Sequence, residues 1–357
     1  MSTRSRVRLA LPSKGVLETN TLNFLAECGM KVSRSNPRQY LAQIKGMPEV
    51  EVVFQRVADI PALVQSGDAT LGISGYDLLA EHRGYGDEEG EENDRSEDLM
   101  MLERDLGYGS CRLVIAVPET WIDVSNCADL WHLSGYYQTH KGRGLRIATK
   151  YPVLTGQFLR RHNITHCKIF SPHGALEAAP LTDTADLIVD LTETGTTLRE
   201  NHLKLLDDGT VLRSQACLIS NTDLLLHDEA ALKVAETMLE LIDARMQARN
   251  RSMLTAYMHG ENIEAMQHIC IELNQRLRAV VSDSEFRVAT SDLTNTAAPE
   301  WYTISGVVNV GAPELLEIVA VLRGAGAAHV NVTPLTYRFV EESISVRVLR
   351  ERLKRLR

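Results

Sequence analysis

The alternation of short apolar runs with helical segments is the feature that most constrains the fold of this chain. The apolar runs are typical of buried strands, and the stretches between them carry helical spacing and end at signals such as Cys28-Gly29. The pattern predicts strands at residues 7–11, 50–54, 69–73, 112–117 and 145–149, and helices at residues 16–27, 60–65 and 76–82. Strands that alternate with helices predict a mainly parallel sheet with helices on both faces.

Four polar or glycine-rich turns follow predicted strands, at residues 12–15, 74–77, 149–152 and 192–197. In open α/β sheets, ligands bind beyond the carboxyl ends of the strands. These turns are therefore the first places to look for a binding site.

The segment from Asp186 to Leu198 is the part of the sequence that most clearly predicts a ligand-binding site. Its apolar run predicts a buried strand that ends at Asp190, then a threonine-rich turn centred on Gly195, then a helix over residues 198–204. Backbone N–H groups at a helix start, threonine hydroxyls and a glycine that permits close approach favour an anion. Because Asp190 could hold sugar hydroxyls or a metal, the segment predicts a phosphorylated sugar as ligand.

An ordinary α/β turn remains an alternative explanation of the same segment, since threonine is a good helix N-cap. The segment is neither a Walker loop, which needs a Gly-Lys-Ser/Thr, nor the dinucleotide G-x-G-x-x-G motif.

The pattern changes after a long helix predicted at residues 229–250. The order becomes β-α-β-β-α-β, which is the ferredoxin-like order, over elements at residues 253–258, 263–277, 286–290, 302–308, 313–322 and 329–332. No strong polar constellation lies there, so binding or regulation is expected of this domain rather than chemistry. A basic helical tail, expected to pack on a neighbouring element, follows at residues 346–357.

Charge is concentrated in one place. The chain carries a net charge of −9, of which residues 87–98 contribute −7, and this acidic run predicts a solvated loop insertion. No basic face favours nucleic acid, and no apolar stretch is long enough for a bilayer. The first residues lack the apolar core of a signal peptide, so a cytoplasmic protein is expected. The six cysteines are scattered, without a C-x-x-C, so neither disulfides nor a zinc site is expected, and the cysteines are expected to be buried as small apolar residues.

Six motifs, in order along the chain, resemble those of the ATP phosphoribosyltransferase family in its long form with a C-terminal regulatory domain. They lie at residues 10–15, 71–77, 106–113, 146–152, 173–180 and 186–198. The resemblance implies two lobes like those of periplasmic binding proteins with the active site in the cleft between them. It assigns the first lobe to residues 1–107 and 200–235 (acidic insertion 84–98), the second lobe to 108–199, the regulatory domain to 251–335 and the tail to 336–357.

The family's reaction transfers the phosphoribosyl group of PRPP to N1 of ATP and releases pyrophosphate, as the first step of histidine biosynthesis. The resemblance implies Mg²⁺ as cofactor, homo-oligomers (dimers and hexamers) and inhibition by L-histidine. Adenine N1 needs no deprotonation before it attacks, so the reaction demands no general base. The resemblance therefore implies that the protein holds both substrates in position and stabilises the negative charge that develops on the leaving group.

The resemblance also implies roles for individual residues. Asp190, Glu177 and Lys14 are the candidates for the chemistry, and Asp190 is also the candidate metal ligand. The candidates for PRPP binding are Asp190, Thr192, Glu193, Thr194, Gly195, Thr196 and Thr197. The candidates for ATP binding are Lys14, Gly15, Arg56, Gly75, Asp77, Tyr108, Thr149 and Tyr151. Asp292 and Thr294 are the candidates for binding regulatory histidine.

Each assignment has a plainer alternative. Lys14 could be a solvated loop lysine, Arg56 could pair with Asp59, Asp77 could only cap its helix, and the two tyrosines could be packing aromatics. The sequence also departs from the family pattern near the predicted histidine pocket, where residues 289–296 lack the expected Pro-Thr run. A two-lobed sensor or regulatory paralogue without activity is the alternative function, because fold alone does not establish catalysis.

Overall fold

The computed structural model describes residues 6–34, 36, 39–84, 98–172, 175–259, 263–277, 286–290, 301–309 and 311–357. The chain forms two compact units, the first from Met1–Leu239 and Ser345–Arg357 and the second from Glu240–Ile344. The acidic run, apart from Asp98, lies outside the described residues, and so do Asp292 and Thr294. Within the described part of the chain, no helix is both long and apolar enough to cross a membrane.

The strands of the described residues, in chain order, are β1 (Val7–Pro12), β2 (Val32–Ser33), β3 (Leu41–Ile44), β4 (Met47–Gln55), β5 (Leu71–Gly75), β6 (Leu99–Glu103), β7 (Cys111–Pro118), β8 (Leu145–Thr149), β9 (Cys167–Phe170), β10 (Leu187–Thr192), β11 (Leu203–Ser214), β12 (Ala216–Asn221), β13 (Arg251–His259), β14 (Arg287–Thr290), β15 (Trp301–Asn309) and β16 (Ala327–Pro334).

The α-helices of the same residues are α1 (Gly15–Glu27), α2 (Ile60–Gln65), α3 (Tyr76–Arg83), α4 (Cys127–His140), α5 (Pro152–Arg161), α6 (Thr196–Glu200), α7 (Thr222–His227), α8 (Glu229–Ala248), α9 (Ile263–Leu277), α10 (Ala312–Gly324) and α11 (Ile344–Leu356). The predicted strands and helices of the first half therefore exist, with ends shifted by a few residues.

The first unit contains two lobes, each built on one sheet. The first lobe carries seven strands in the order β2-β3-β4-β1-β5-β12-β6, and the second carries five in the order β11-β7-β10-β8-β9. The expectation of mainly parallel sheets is wrong, because only four of the ten neighbouring strand pairs described in these sheets are parallel. Parallel pairing is confined to the centre of the first sheet, β4-β1-β5, and to β10-β8-β9 in the second.

The segment that follows the threonine turn also differs from the prediction. Residues 198–204 were predicted as a helix, but α6 ends at Glu200 and β11 begins at Leu203. His202 adopts a left-handed backbone, with φ 55°, which stops the helix. From there Leu203, Leu206 and Leu212 are buried, whereas the residues between them are partly buried or exposed, except for the buried Gly209. The predicted boundary at residue 200 gives residues 203–214 to the first lobe. Because β11 pairs with β7, these residues belong to the sheet of the second lobe.

Helix α4 was not predicted, although the sequence carries its start signal. The Asn126 side chain accepts a hydrogen bond from the backbone N–H of Asp129 at 3.0 Å, and the Asp129 carboxylate accepts one from the Asn126 N–H at 3.2 Å. This reciprocal pair is a capping box, a local pattern that marks a helix start.

Buried side chains of α3 and α5 join those of both sheets in one apolar cluster, so the two lobes share a core.

The second unit confirms the predicted ferredoxin-like domain. Its four strands run antiparallel in the order β14-β15-β13-β16, with α9 and α10 connecting them. Side chains such as Leu254, Tyr302 and Ile318 form its own core.

The basic tail forms α11, as predicted, and all but its first residue belongs to the first unit. Val346, Leu349 and Leu353 are buried on one face of the helix. Beside this face, the Arg350 guanidinium pairs with Glu236 at 2.7 Å. The tail is therefore an amphipathic helix packed on the first unit.

Candidate functional site

The carboxyl ends of three neighbouring strands carry the predicted ATP residues of the first lobe. Strands β4, β1 and β5 are parallel, so the residues that follow them lie at one edge of the sheet. Lys14 follows β1 and Arg56 follows β4, and both side chains are exposed. No ion pair joins Arg56 to Asp59 among the described residues, which removes the plainer explanation of Arg56. Two cations at one sheet edge suit a polyphosphate.

The structure explains why glycine occupies two positions at this edge. Gly15, which begins α1, has φ 80°, a left-handed backbone that other residues rarely adopt. Gly75 precedes α3, and a Cβ atom there would lie 2.4 Å from Oδ1 of Asp77. Gly75 therefore makes room for the Asp77 carboxylate.

The second lobe presents a matching edge. Strands β10, β8 and β9 are parallel, so Thr149, Lys150 and the threonine turn after β10 share one end of the sheet. Thr149 is buried, and its hydroxyl accepts a hydrogen bond from the Tyr151 N–H at 3.0 Å. Lys150 is exposed, and it adds a cation that the sequence reasoning did not single out.

The threonine turn forms a loop whose hydroxyls face solvent. Gly195 has φ 79°, and its N–H donates to the Thr192 hydroxyl at 2.8 Å. The hydroxyls of Thr194 and Thr196 lie 2.9 Å apart, and the side chains of Thr194, Thr196 and Thr197 are exposed. The loop therefore offers converging donors around a glycine, as an anion site requires.

Asp190 and Glu177 form an acidic pair beside this loop. Burial raises the pKa of the Asp190 carboxyl, and the nearby Glu177 charge raises that pKa further. The N–H of Leu191, which bonds Asp190 at 2.8 Å, and the charge of Lys150 act in the opposite direction on the same pKa. Asp190 is half-buried and lies near the Glu177 charge, so a cation bound between them would stabilise the ionised form of Asp190.

Asp77 joins the two lobes through buried hydrogen bonds. Its side chain is 4% exposed. Its two carboxylate oxygens each accept a bond of 2.6 Å, one from the hydroxyl of Tyr151 and one from that of Ser214, both in the second lobe. The Asp77 N–H in turn donates to Ser214 Oγ at 2.9 Å. Burial and the Asp77 charge raise the pKa of the Tyr151 hydroxyl, which keeps it a donor.

A second contact lies one helical turn further along α3. The Glu81 carboxylate accepts hydrogen bonds from the N–H groups of Val153 and Leu154, at 2.8 and 2.9 Å. These are the first unpaired N–H groups of α5, so a side chain of the first lobe caps a helix of the second. We call Asp77, Glu81, Tyr151 and Ser214 the interlobe clamp.

The electrostatic couplings place the clamp near the threonine loop. The charge of Asp190 helps to raise the pKa of Tyr151, after burial and Asp77. Cys111, at the start of β7, has its pKa raised to about 11, first by burial and then by the charges of Asp77 and Glu193. The structure thus gathers Asp77, Tyr151, Asp190 and Glu193 in one region.

Three of the residues predicted to bind ATP have side-chain polar groups that are hydrogen-bonded to other side chains of the protein. The Tyr108 hydroxyl lies 3.0 Å from the Thr21 hydroxyl, and its ring packs on Phe24 with centroids 5.2 Å apart. Asp77 and Tyr151 bond to each other. Tyr108 therefore packs on α1, and Asp77 and Tyr151 join the two lobes. The assignment of these three residues to ATP binding stays a prediction. Sequence reasoning missed Glu81 and Ser214, whose partners are distant in sequence, whereas Lys150 could have been found from its position at a strand end.

Comparisons with known proteins give the family of the chain. The family model of ATP phosphoribosyltransferase (HisG) matches residues 56–253. ATP phosphoribosyltransferase 2, chloroplastic, from Arabidopsis thaliana is 36% identical over 345 residues, covering 95% of this chain and 79% of that protein. ATP phosphoribosyltransferase from Brucella anthropi is 42% identical over 216 residues, covering 60% of this chain and 89% of that protein.

Solved structures also align with the chain. The ATP phosphoribosyl transferase (HisG:HisZ) complex from Thermotoga maritima aligns with a TM-score of 0.48 and 26% identity, over 66% of this chain and 98% of that one. The ancestral amino-acid-binding protein AncCDT-1 aligns with a TM-score of 0.40 and 12% identity, over 69% and 91%. On the family match and the long, similar relatives, the chain belongs to the ATP phosphoribosyltransferase family.

Proposed function

We propose that PRPP binds at the Thr192–Thr197 loop of the second lobe and ATP at the Lys14 and Arg56 edge of the first. The chain is a pentosyltransferase of the first step of histidine biosynthesis, and ATP and PRPP are its substrates. The observation that carries the site assignment is the exposed, hydroxyl-lined loop around Gly195, directly after the strand that ends in Asp190 and Thr192. Nothing favours the sensor alternative.

In this proposal the protein works by positioning. The loop hydroxyls and N–H groups hold the 5′-phosphate, and Asp190 holds the ribose hydroxyls, so that C1 faces the adenine N1 held by the first lobe. Lys14 and Arg56 neutralise triphosphate or pyrophosphate oxygens as negative charge builds on the leaving group. Adenine N1 attacks with its own lone pair, so no side chain has to remove a proton.

The acidic pair is suited to a divalent cation. The charge of Glu177 disfavours the ionised form of the Asp190 carboxyl, and a hard cation with oxygen ligands would relieve that repulsion. We assign Mg²⁺ to these carboxylates, where it would neutralise charge on the diphosphate. Glu193, whose side chain is exposed, lies on the loop itself and is proposed to contact ribose or metal rather than phosphate.

Asp190→Asn should lower kcat/KM for PRPP by about 10- to 100-fold at neutral pH, the usual effect of losing a charge-assisted contact. Because burial raises the pKa of Asp190, the wild type should lose activity, as the pH falls, at a higher pH than an ordinary carboxyl would dictate. The variant has no carboxyl at this position and should lack the fall in activity that protonation of Asp190 causes. The difference between the two pH–rate profiles therefore gives the contribution of Asp190.

Asp183→Asn is the matched control for this prediction. The Asp183 side chain is 92% exposed and pairs with Arg146 in the same lobe. Its pH profile should match that of the wild type. Identical acid limbs in the wild type and Asp190→Asn would refute the role given to Asp190.

The overall function is tested by measuring phosphoribosyl-ATP formation from ATP and PRPP with Mg²⁺ and pyrophosphatase, with and without L-histidine. Activity is expected, and its absence under all conditions would reverse the proposed function. We propose that histidine acts through the second unit, with Asp292 and Thr294 as ligands, and that the enzyme forms homo-oligomers. Suppression by histidine with a change in oligomer mass would support both, whereas unaltered activity would overturn the regulatory assignment alone.

The proposed compartment is the cytoplasm. The two Arabidopsis relatives are named chloroplastic, so this location stays a prediction. Fractionation of cells that express the chain would decide between a soluble cytoplasmic and an organellar protein.

A further inference from the structure

A second group of metal-ligating side chains lies in the second lobe. The sulfur of Cys127, a ring nitrogen of His162 and a carboxylate oxygen of Asp208 all lie within 4.8 Å of one another. They come from three separate elements: Cys127 begins α4, His162 follows the last residue of α5, and Asp208 lies in β11. The mechanism proposed above uses none of them.

The local fold holds two of these side chains in place. The pairing of β11 with β7 shifts register between Leu205 and Thr210, so Asp208 lies in an irregular stretch and is exposed. One carboxylate oxygen of Asp208 accepts a hydrogen bond from the Cys127 N–H at 2.7 Å, which orients the carboxylate towards the cysteine. The His162 ring stacks on Phe158, with centroids 4.3 Å apart.

We propose that Cys127, His162 and Asp208 form a binding site for a thiophilic divalent cation of the Zn²⁺ class. A sulfur, an imidazole nitrogen and a carboxylate oxygen are the ligand types of zinc, bound at about 2.0 to 2.3 Å each. Such bonds put tetrahedral ligand atoms about 3.5 Å apart, so the three atoms need to approach by roughly 1 Å. Asp208 is exposed, so its side chain has room for that movement.

The chemistry separates this site from the proposed Mg²⁺ site. Mg²⁺ takes oxygen ligands and does not favour a thiolate or an imidazole. Burial, together with Asp208, raises the pKa of the Cys127 thiol to about 12, so the thiol is neutral when no metal is bound. Zinc binds a cysteine as the thiolate, so the thiol proton passes to the solvent when the cation binds. Bound there, it would tie α4, α5 and β11 together.

The test uses the full-length enzyme, stripped with EDTA and dialysed, and titrated with Zn²⁺ in excess Mg²⁺. We expect one Zn²⁺ per chain, a higher melting temperature when it binds, and a thiolate charge-transfer band when Co²⁺ replaces it. Asp208→Asn keeps an oxygen to accept the Cys127 N–H bond, so it should fold but bind Zn²⁺ at least 10-fold more weakly. Cys127→Ser should lose the Co²⁺ band.

Cys167→Ser is the matched control, because Cys167 is a partly buried cysteine of β9 in the same lobe. It should keep the stoichiometry, the affinity and the band. Failure of the wild type to bind Zn²⁺ would overturn the proposal, as would binding that survives unchanged in both Asp208→Asn and Cys127→Ser. Neither result would bear on phosphoribosyl transfer, which is measured separately.

Discussion

Replacing Thr194 and Gly195 together by valine is expected to abolish the use of PRPP while leaving the fold intact. Gly195 has φ 79°, which a β-branched residue adopts only with strain, so valine there would displace the loop backbone that is proposed to hold the phosphate. Thr194→Val removes the hydroxyl that lies 2.9 Å from that of Thr196. Charge-assisted bonds contribute about 1.5 to 3 kcal/mol each, so kcat/KM for PRPP should fall by more than about 100-fold.

A double valine variant elsewhere in the same lobe controls for strain and lost hydroxyls. Gly142, after α4, has φ 64°, and a Cβ atom there would meet no atom within 4 Å; the nearby Thr139 hydroxyl donates to the Gly135 carbonyl oxygen at 3.0 Å. Gly142→Val with Thr139→Val should keep kcat/KM for both substrates within a few-fold of the wild type. Calorimetry of ATP binding should show that the loop variant still binds nucleotide. Full activity in a folded Thr194→Val, Gly195→Val enzyme would remove the loop from the PRPP site.

The parts of the site that could be predicted from the sequence are those with local signals. Lys14, Arg56 and the Asp190 loop each follow an apolar strand directly, so their positions at strand ends follow from reading the strands correctly. The ferredoxin-like domain was likewise predictable, because its six elements are contiguous in sequence.

The parts that could not be predicted depend on contacts between distant residues. Ser214 meets Asp77 across 137 positions, and Glu81 reaches the start of α5 across 72 and 73. Nothing near Ser214 in the sequence indicates that partner, and the strand that carries it was assigned to the wrong lobe. An aspartate after a strand also fits several roles. Its burial and its two hydroxyl partners identify the role of Asp77 here, and neither is visible in one sequence.

The interlobe clamp leads to the second large effect. Tyr151→Phe removes a 2.6 Å hydrogen bond to a buried carboxylate and leaves Asp77 short of one partner. The free energy of unfolding should therefore fall by about 1.5 to 3 kcal/mol. Because the clamp holds the ATP edge of one lobe against the PRPP loop of the other, kcat should fall by about 10- to 100-fold, as expected when reacting groups are misplaced by about 1 Å.

The Michaelis constants distinguish this positioning role from direct ATP binding. Each substrate is proposed to bind mainly to one lobe, so Tyr151→Phe should leave KM for ATP and for PRPP within about threefold of the wild type while kcat falls. Glu81→Gln should show the same division, because it weakens the capping of α5 without touching either substrate. Tyr137→Phe is the control, since Tyr137 is a buried tyrosine of the second lobe that packs on Trp121. A large rise in KM for ATP alone in Tyr151→Phe would instead make Tyr151 an ATP ligand and would end its assignment to the clamp.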